Sequence, residues 1–288
     1  MSQLLESAQT FILSNARLLE RRLFAFLFHQ GNPDLVRTAL LAYQNEDGGF
    51  GNALEPDKRT ASSQPVDQEF ALSVLDNLGF DTPIALQICG FLETITTVEG
   101  GVPFVLPTVR DAPRADWWNT DSDEPPASIN PTASIAGLLH KYAIRHPWLD
   151  HATDYCWQVI EHLQIGSGHD FLCVQSFLEH VPDRERAEHA FERIRAQLTT
   201  GGHITYDPSA TGYVFMPLVY APSPQNMARR LFDTPTIHTH LAALAGKQQT
   251  DGGWPISWPP VSPACELEYR GIVTLYALKT LQAYDYLK

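Results

Sequence analysis

Apolar residues recur along the chain at three- and four-residue steps, as in Val36/Ala39/Leu40/Tyr43, Ala71/Val74/Leu75/Leu78, Ile135/Leu138/Leu139/Tyr142 and Ile237/Leu241/Leu244. That spacing marks one face of an α-helix, and no two-residue alternation of strand type competes with it. The pattern predicts helices over 3–29, 33–44, 66–78, 82–97, 131–145, 149–164, 169–179, 183–198, 223–232, 235–248 and 264–284. Pro33, Pro83, Pro131, Pro147, Pro182, Pro224 and Pro235 stand where first-turn prolines are tolerated.

The links between these helices alternate in length. Short turns join pairs such as 66–78/82–97, whereas long segments at 51–65, 102–130, 203–222 and 255–263 separate the pairs. Such alternation predicts two layers, about six inner and five to six outer helices, in one ring-shaped domain over residues 1–288. The long links then gather at one end, over the N-termini of the inner helices, where ordered loops commonly carry function.

An internal repeat reinforces this organisation. Gln44-Asn45-Glu46-Asp47-Gly48-Gly49-Phe50 returns as Gln248-Gln249-Thr250-Asp251-Gly252-Gly253-Trp254, with weaker echoes at Glu99–Phe104, Thr200–His203 and Gly166–His169. The glycine pair supplies left-handed backbone angles that end a helix. The aromatic residue folds back on the helix end, and the glutamine bonds backbone groups of the neighbouring unit.

The two Q-x-x-D-G-G-[FW] segments resemble the repeats of squalene–hopene and oxidosqualene cyclases and the Gly-Gly repeats of protein prenyltransferase β subunits. The resemblance implies an all-α fold, the α/α toroid, and an isoprenoid-processing, terpene cyclase-like lyase or isomerase. Class II cyclases carry a D-x-D-D acid, and the nearest match here is Asp121-Ser122-Asp123-Glu124. Prenyltransferase zinc uses an Asp-x-Cys pair and a distant His. Asp154-Tyr155-Cys156 and His238 have those residue types, but Asp154 falls on a predicted outer helix. His238 and His240 diverge by about 200° and cannot share a metal. No metal and no cofactor are expected, apart from Mg²⁺ if the substrate is a diphosphate.

Composition narrows the partners. The 288 residues are 44% hydrophobic and 18% charged, which suits a well-filled globular chain. A net charge of −13 disfavours nucleic acid as a partner. The four cysteines form no C-x-x-C pair, so reduced thiols and a cytoplasmic location are expected. Neither a signal peptide nor a run of about 18 apolar residues stands out.

The predicted loop face gathers acids and aromatics. Glu55 and Asp57, in the string 51–59, are the preferred catalytic acids, with Asp121 and Asp123 as the next candidates. Trp117, Trp118, Tyr213, Trp254, Trp258, Glu266, Glu268 and Arg270 are the candidate substrate-binding residues, Trp118 and Trp258 forming a wall and Arg270 a clamp. The pocket is expected between 51–59, 116–124 and 254–270. Indole faces steady carbocations and stack on sugars, while shielded carboxylates become usable acids. Two enzymatic readings stay open: isoprenoid chemistry on an apolar small molecule, and carbohydrate chemistry between two carboxylates. A non-catalytic binding module is the third.

Overall fold

A computed structural model describes residues 3–287. Its α-helices are α1 (Gln3–Asn15), α2 (Leu18–His29), α3 (Pro33–Leu41), α4 (Pro65–Asn77), α5 (Thr82–Thr94), α6 (Ile129–Lys141), α7 (Pro147–His162), α8 (Gly168–His180), α9 (Arg184–Thr200), α10 (Pro217–Tyr220), α11 (Thr234–Gly246) and α12 (Pro263–Ala283). The fold is all-α. Among the described residues no strand forms, and the only β pairings are isolated bridges at Gln44–Phe50, Lys58–Arg114 and Pro103–Ala127.

Most predicted helices appear within a few residues of their expected ends, and the departures have local causes. The stretch 3–29 is two helices, because Arg17 is extended (φ −63°, ψ 163°). The Asn15 side chain bonds the Phe11 carbonyl at 3.1 Å, and Arg21 bonds that of Ala16 at 2.8 Å. Side chains thus take over the carbonyls at the break. The helix expected at 223–232 is instead the 3₁₀ turn Met227–Leu231, and the short α10 precedes it.

The described residues group into two compact units, one from 3–39 and 199–287, the other from 40–198. In the second unit α6 is the centre. It packs on α4, α7 and α8, and every residue from Pro131 to Leu139 is buried. Gly137 permits the close approach to α8, since a Cβ there would lie 2.4 Å from the Ser176 carbonyl oxygen. In the first unit α12 is central and packs on α1, α2 and α11.

Both copies of the repeat fold as the same turn. Gln44 Nε2 donates to the Gly48 carbonyl at 3.0 Å, and Gln248 Nε2 to that of Gly252 at 2.9 Å. Asp47 accepts from Gly49 N at 2.9 Å and Asp251 from Gly253 N at 3.0 Å. Phe50 N then donates to Gln68, and Trp254 N to Thr274, each on the helix that follows. The echo at 97–102 belongs to the set, with Thr97 N bonded to Gly101 O and Val102 N to Thr132 Oγ1. In each copy the second glycine lies under a ring, Phe91 at Gly49, Tyr155 at Gly101 and Phe11 at Gly253. The last copy therefore packs on α1, as the first packs on α5 and the second on α7.

Candidate functional site

After the first turn the chain passes through two left-handed residues, Asn52 (φ 54°) and Ala53 (φ 60°). Asn52 tolerates this conformation and bonds Asn45 Oδ1 at 3.0 Å; for Ala53 it costs about 1–2 kcal/mol. The strained corner sends the next residues inward. Glu55, Asp57, Lys58 and Asp67 are all 1% exposed or less. Asp67 organises them: one oxygen accepts Glu55 N at 2.8 Å and the other pairs with the Lys58 ammonium. Asp67 stands in the first turn of α4, where the helix dipole favours negative charge.

The segment 107–118 seals this cluster. Ala115 N donates to the Asp57 carbonyl at 2.8 Å and Arg59 N to that of Pro113 at 2.9 Å. Gln64 fastens the same segment, accepting from Leu106 N at 2.9 Å and donating to Thr108 at 2.8 Å. So the structure does bring the 51–59 string and the neighbourhood of 116–124 together, but around a closed interior. Neither Glu55 nor Asp57 meets solvent. Asp121 and Asp123 are exposed, and Asp123 pairs with Arg110 at 2.7 Å. Trp118 is buried and stacked on Phe104 at 4.8 Å, while Trp117 is exposed.

Near the turn lies a wide-open depression of about 570 Å³, lined by Asn45, Asp47, Ser62, Ser63, Phe91 and Thr108 among others. Its polar groups are committed to the repeat: Asn45 bonds Ala61 O and Ser63, and Ser63 bonds Asp47.

A different acid has the properties the string lacks. Glu69, two residues beyond Asp67 on α4, is half-buried, and its carboxyl accepts the Ser134 hydroxyl from α6. Burial raises its pKa from 4.5 to about 7, with the Ser134 bond offsetting part of the rise. Cys173 on α8 faces the same acid. Its thiol is pushed well above the usual value by burial, then by the negative charge of Glu69, while Ser134 bonds it back down. Three helices, α4, α6 and α8, thus converge at a carboxyl poised between its two protonation states at neutral pH.

No family model and no curated protein matches this chain. Glu69 was not among the expected acids, and its partner lies 65 residues away in sequence. The polar stripe Gln64/Asp67/Gln68 that opens the helix marks the face of Asp67 and not that of Glu69, so it gave no signal for this acid.

The residues expected from 213 and 254–270 belong to the other unit. Arg270 is buried; its Nη2 bonds Asp251 at 2.7 Å, its Nε bonds Trp254 O at 3.2 Å, and its guanidinium lies over Phe11. Its hydrogen bonds brace the repeat turn. Trp254 is also internal, its indole bonding the Leu244 carbonyl at 2.7 Å. Tyr213 is exposed, and Trp258, Glu266 and Glu268 are half-buried.

The four cysteines are free and buried, and burial raises Cys89 to about 12 and Cys156 in the same direction. Asp154 is exposed where Cys156 is buried, so the two point apart. Among the described residues no three His, Cys, Asp or Glu side chains are placed to hold a metal. None of the described helices is long and apolar enough to cross a membrane.

Proposed function

We propose that this chain is an acid–base enzyme with Glu69 as its proton-transferring group, acting on a small molecule at a polar, oxygen-linked bond. The observation that carries the reading is the Glu69–Ser134 pair, a half-buried glutamate whose carboxyl is raised by burial to about 7. A group of that pKa takes and gives protons with comparable ease under physiological conditions. It also suits protonation of a leaving oxygen. Isoprenoid cyclisation, the first expectation from the repeat resemblance, begins by protonating an alkene or epoxide. Raising a carboxyl from 4.5 to about 7 makes it roughly 300-fold weaker as an acid, a change in the wrong direction for an alkene. Protonating an oxygen leaving group asks less of the acid, so a bond to oxygen suits this carboxyl better.

The test combines titration with activity. Carbon-13 NMR of the glutamate carboxyls should show one midpoint near 7 that disappears in Glu69→Gln. A screen of aryl glycosides between pH 5 and 9 should find turnover in the wild type and none in that variant, with both equally folded. An ordinary midpoint for Glu69, or turnover that survives the substitution, overturns the reading.

A further inference from the structure

In the C-terminal part of the chain three rings form a continuous aromatic shelf. Tyr213 meets Trp258 at 5.6 Å between centroids and 84° between planes; Trp258 meets Tyr269 at 4.9 Å and 90°. Tyr213 is 53% exposed, and Trp258 and Tyr269 are half-buried. The shelf is held from beneath. Phe215 packs edge-on against Tyr213 at 5.7 Å and stacks on Tyr220 at 5.8 Å, and Tyr220 is fully buried with its hydroxyl bonded to His203 O at 2.9 Å. Trp258 sits in the sequence Pro255-Ile256-Ser257-Trp258-Pro259-Pro260, whose prolines restrict the backbone. Glu266 stands three residues before Tyr269 on α12, and so on the same helical face.

We infer that this shelf is a binding site for a pyranose ring. An exposed ring face, that of Tyr213 above all, offers a flat, electron-rich surface to the C–H face of a sugar. The tyrosine hydroxyls, with Glu266 one helical turn from Tyr269, are hydrogen-bonding groups of the kind that sugar hydroxyls pair with. A wholly apolar isoprenoid would leave any such polar group that it covered desolvated without a partner. An organic cation is best held when several ring faces surround it. Here the ring centroids lie 4.9–5.6 Å apart, so the rings pack on each other and leave no gap between them for an ion. The braced rings lose little freedom on binding, which favours affinity at a shallow site. The inference takes its ligand class from the oxygen-linked substrate proposed above, but it concerns binding alone.

Indole nitrogen-15 NMR of the full chain, titrated with cellobiose and with methyl β-glucopyranoside, tests it. The Trp258 resonance, assigned from Trp258→Phe, should shift saturably, with a dissociation constant on the order of 1–10 mM. Tyr213→Ala should weaken binding at least tenfold while the other indole resonances keep their positions. Glu69→Gln should bind as the wild type does, so that loss of the proton-transfer reading and loss of this one are told apart. Absence of a shift at 50 mM sugar overturns the inference. So does tetramethylammonium or an isoprenoid alcohol moving the Trp258 resonance at lower concentration than cellobiose.

Discussion

Asp67 and Glu69 lie two residues apart on α4, so their side chains leave the helix about 200° apart. Asp67 turns into the 51–59 string, loses all contact with solvent and pairs with Lys58. Glu69 turns toward α6 and α8, keeps part of its surface, and has a hydroxyl as its partner instead of a cation. A buried ammonium holds a carboxylate in its charged form, whereas burial beside neutral groups drives it toward the protonated one. Direction around one helix thus separates a structural carboxylate from a titrating one.

The largest effect that probes this contrast is expected from Lys58→Met. Removing the ammonium leaves Asp67 charged and buried, at a cost of about 3–5 kcal/mol. Urea unfolding measures it; a loss below about 1 kcal/mol would mean that the interior cluster does not depend on its cation. Glu69→Gln should act in the opposite sense. Because the folded pKa of about 7 lies above the ordinary 4.5, the folded state holds this proton more tightly than the unfolded chain does. Its contribution is fully present below about pH 4.5 and is lost as pH rises through 7, by up to about 3 kcal/mol. The variant should therefore be more stable than the wild type at pH 8 and equal to it at pH 4, with a flatter melting-temperature profile between.

Ser134→Ala should be smaller and more specific. The serine bond lowers the Glu69 pKa, so its removal should move the midpoint upward by about half a unit to one unit. A downward movement would show that the hydroxyl favours the protonated acid. The least effect belongs to Asp121→Asn and Asp123→Asn. These exposed loop acids should change stability by no more than about 0.5 kcal/mol, since solvent screens the Arg110–Asp123 pair.

The helices were legible because periodicity records which face is buried, and the turns at 44–50 and 248–254 because Gly-Gly and the flanking Gln and Asp do their bonding within a few residues. The echo at 97–102 forms the same turn without the glutamine or the aspartate. At 200–203 the left-handed glycine is the second of the pair, Gly202, where the copies have the first, and a Cβ beside it would meet nothing within 4 Å. The break at Arg17 was hard to see because the polar residues around it, Ser14, Asn15 and Arg17, span only about one helical turn between Leu13 and Leu18. At the candidate site, the unusual Glu-Pro-Asp-Lys-Arg string was visible, but whether a loop acid faces water or the interior depends on distant chain. Here that chain is 107–118. Glu69 was harder still, since its pKa is set by the packing of three helices and by a serine with no local relation to it.

The docking of α1 on the last repeat has a consequence for biosynthesis. A Cβ at Gly252 would fall 2.0 Å from the Ser7 carbonyl oxygen, and Gln248 bonds the Leu4 carbonyl at 2.8 Å. Helix α1 leaves the ribosome before residues 40–198, yet its partners at 248–254 and in α12 emerge after them. Residues 40–198 form a unit from contiguous sequence and can assemble while translation continues, whereas 3–39 must wait with an apolar face uncovered. That waiting segment is where a nascent-chain chaperone would find its longest-lived exposed surface.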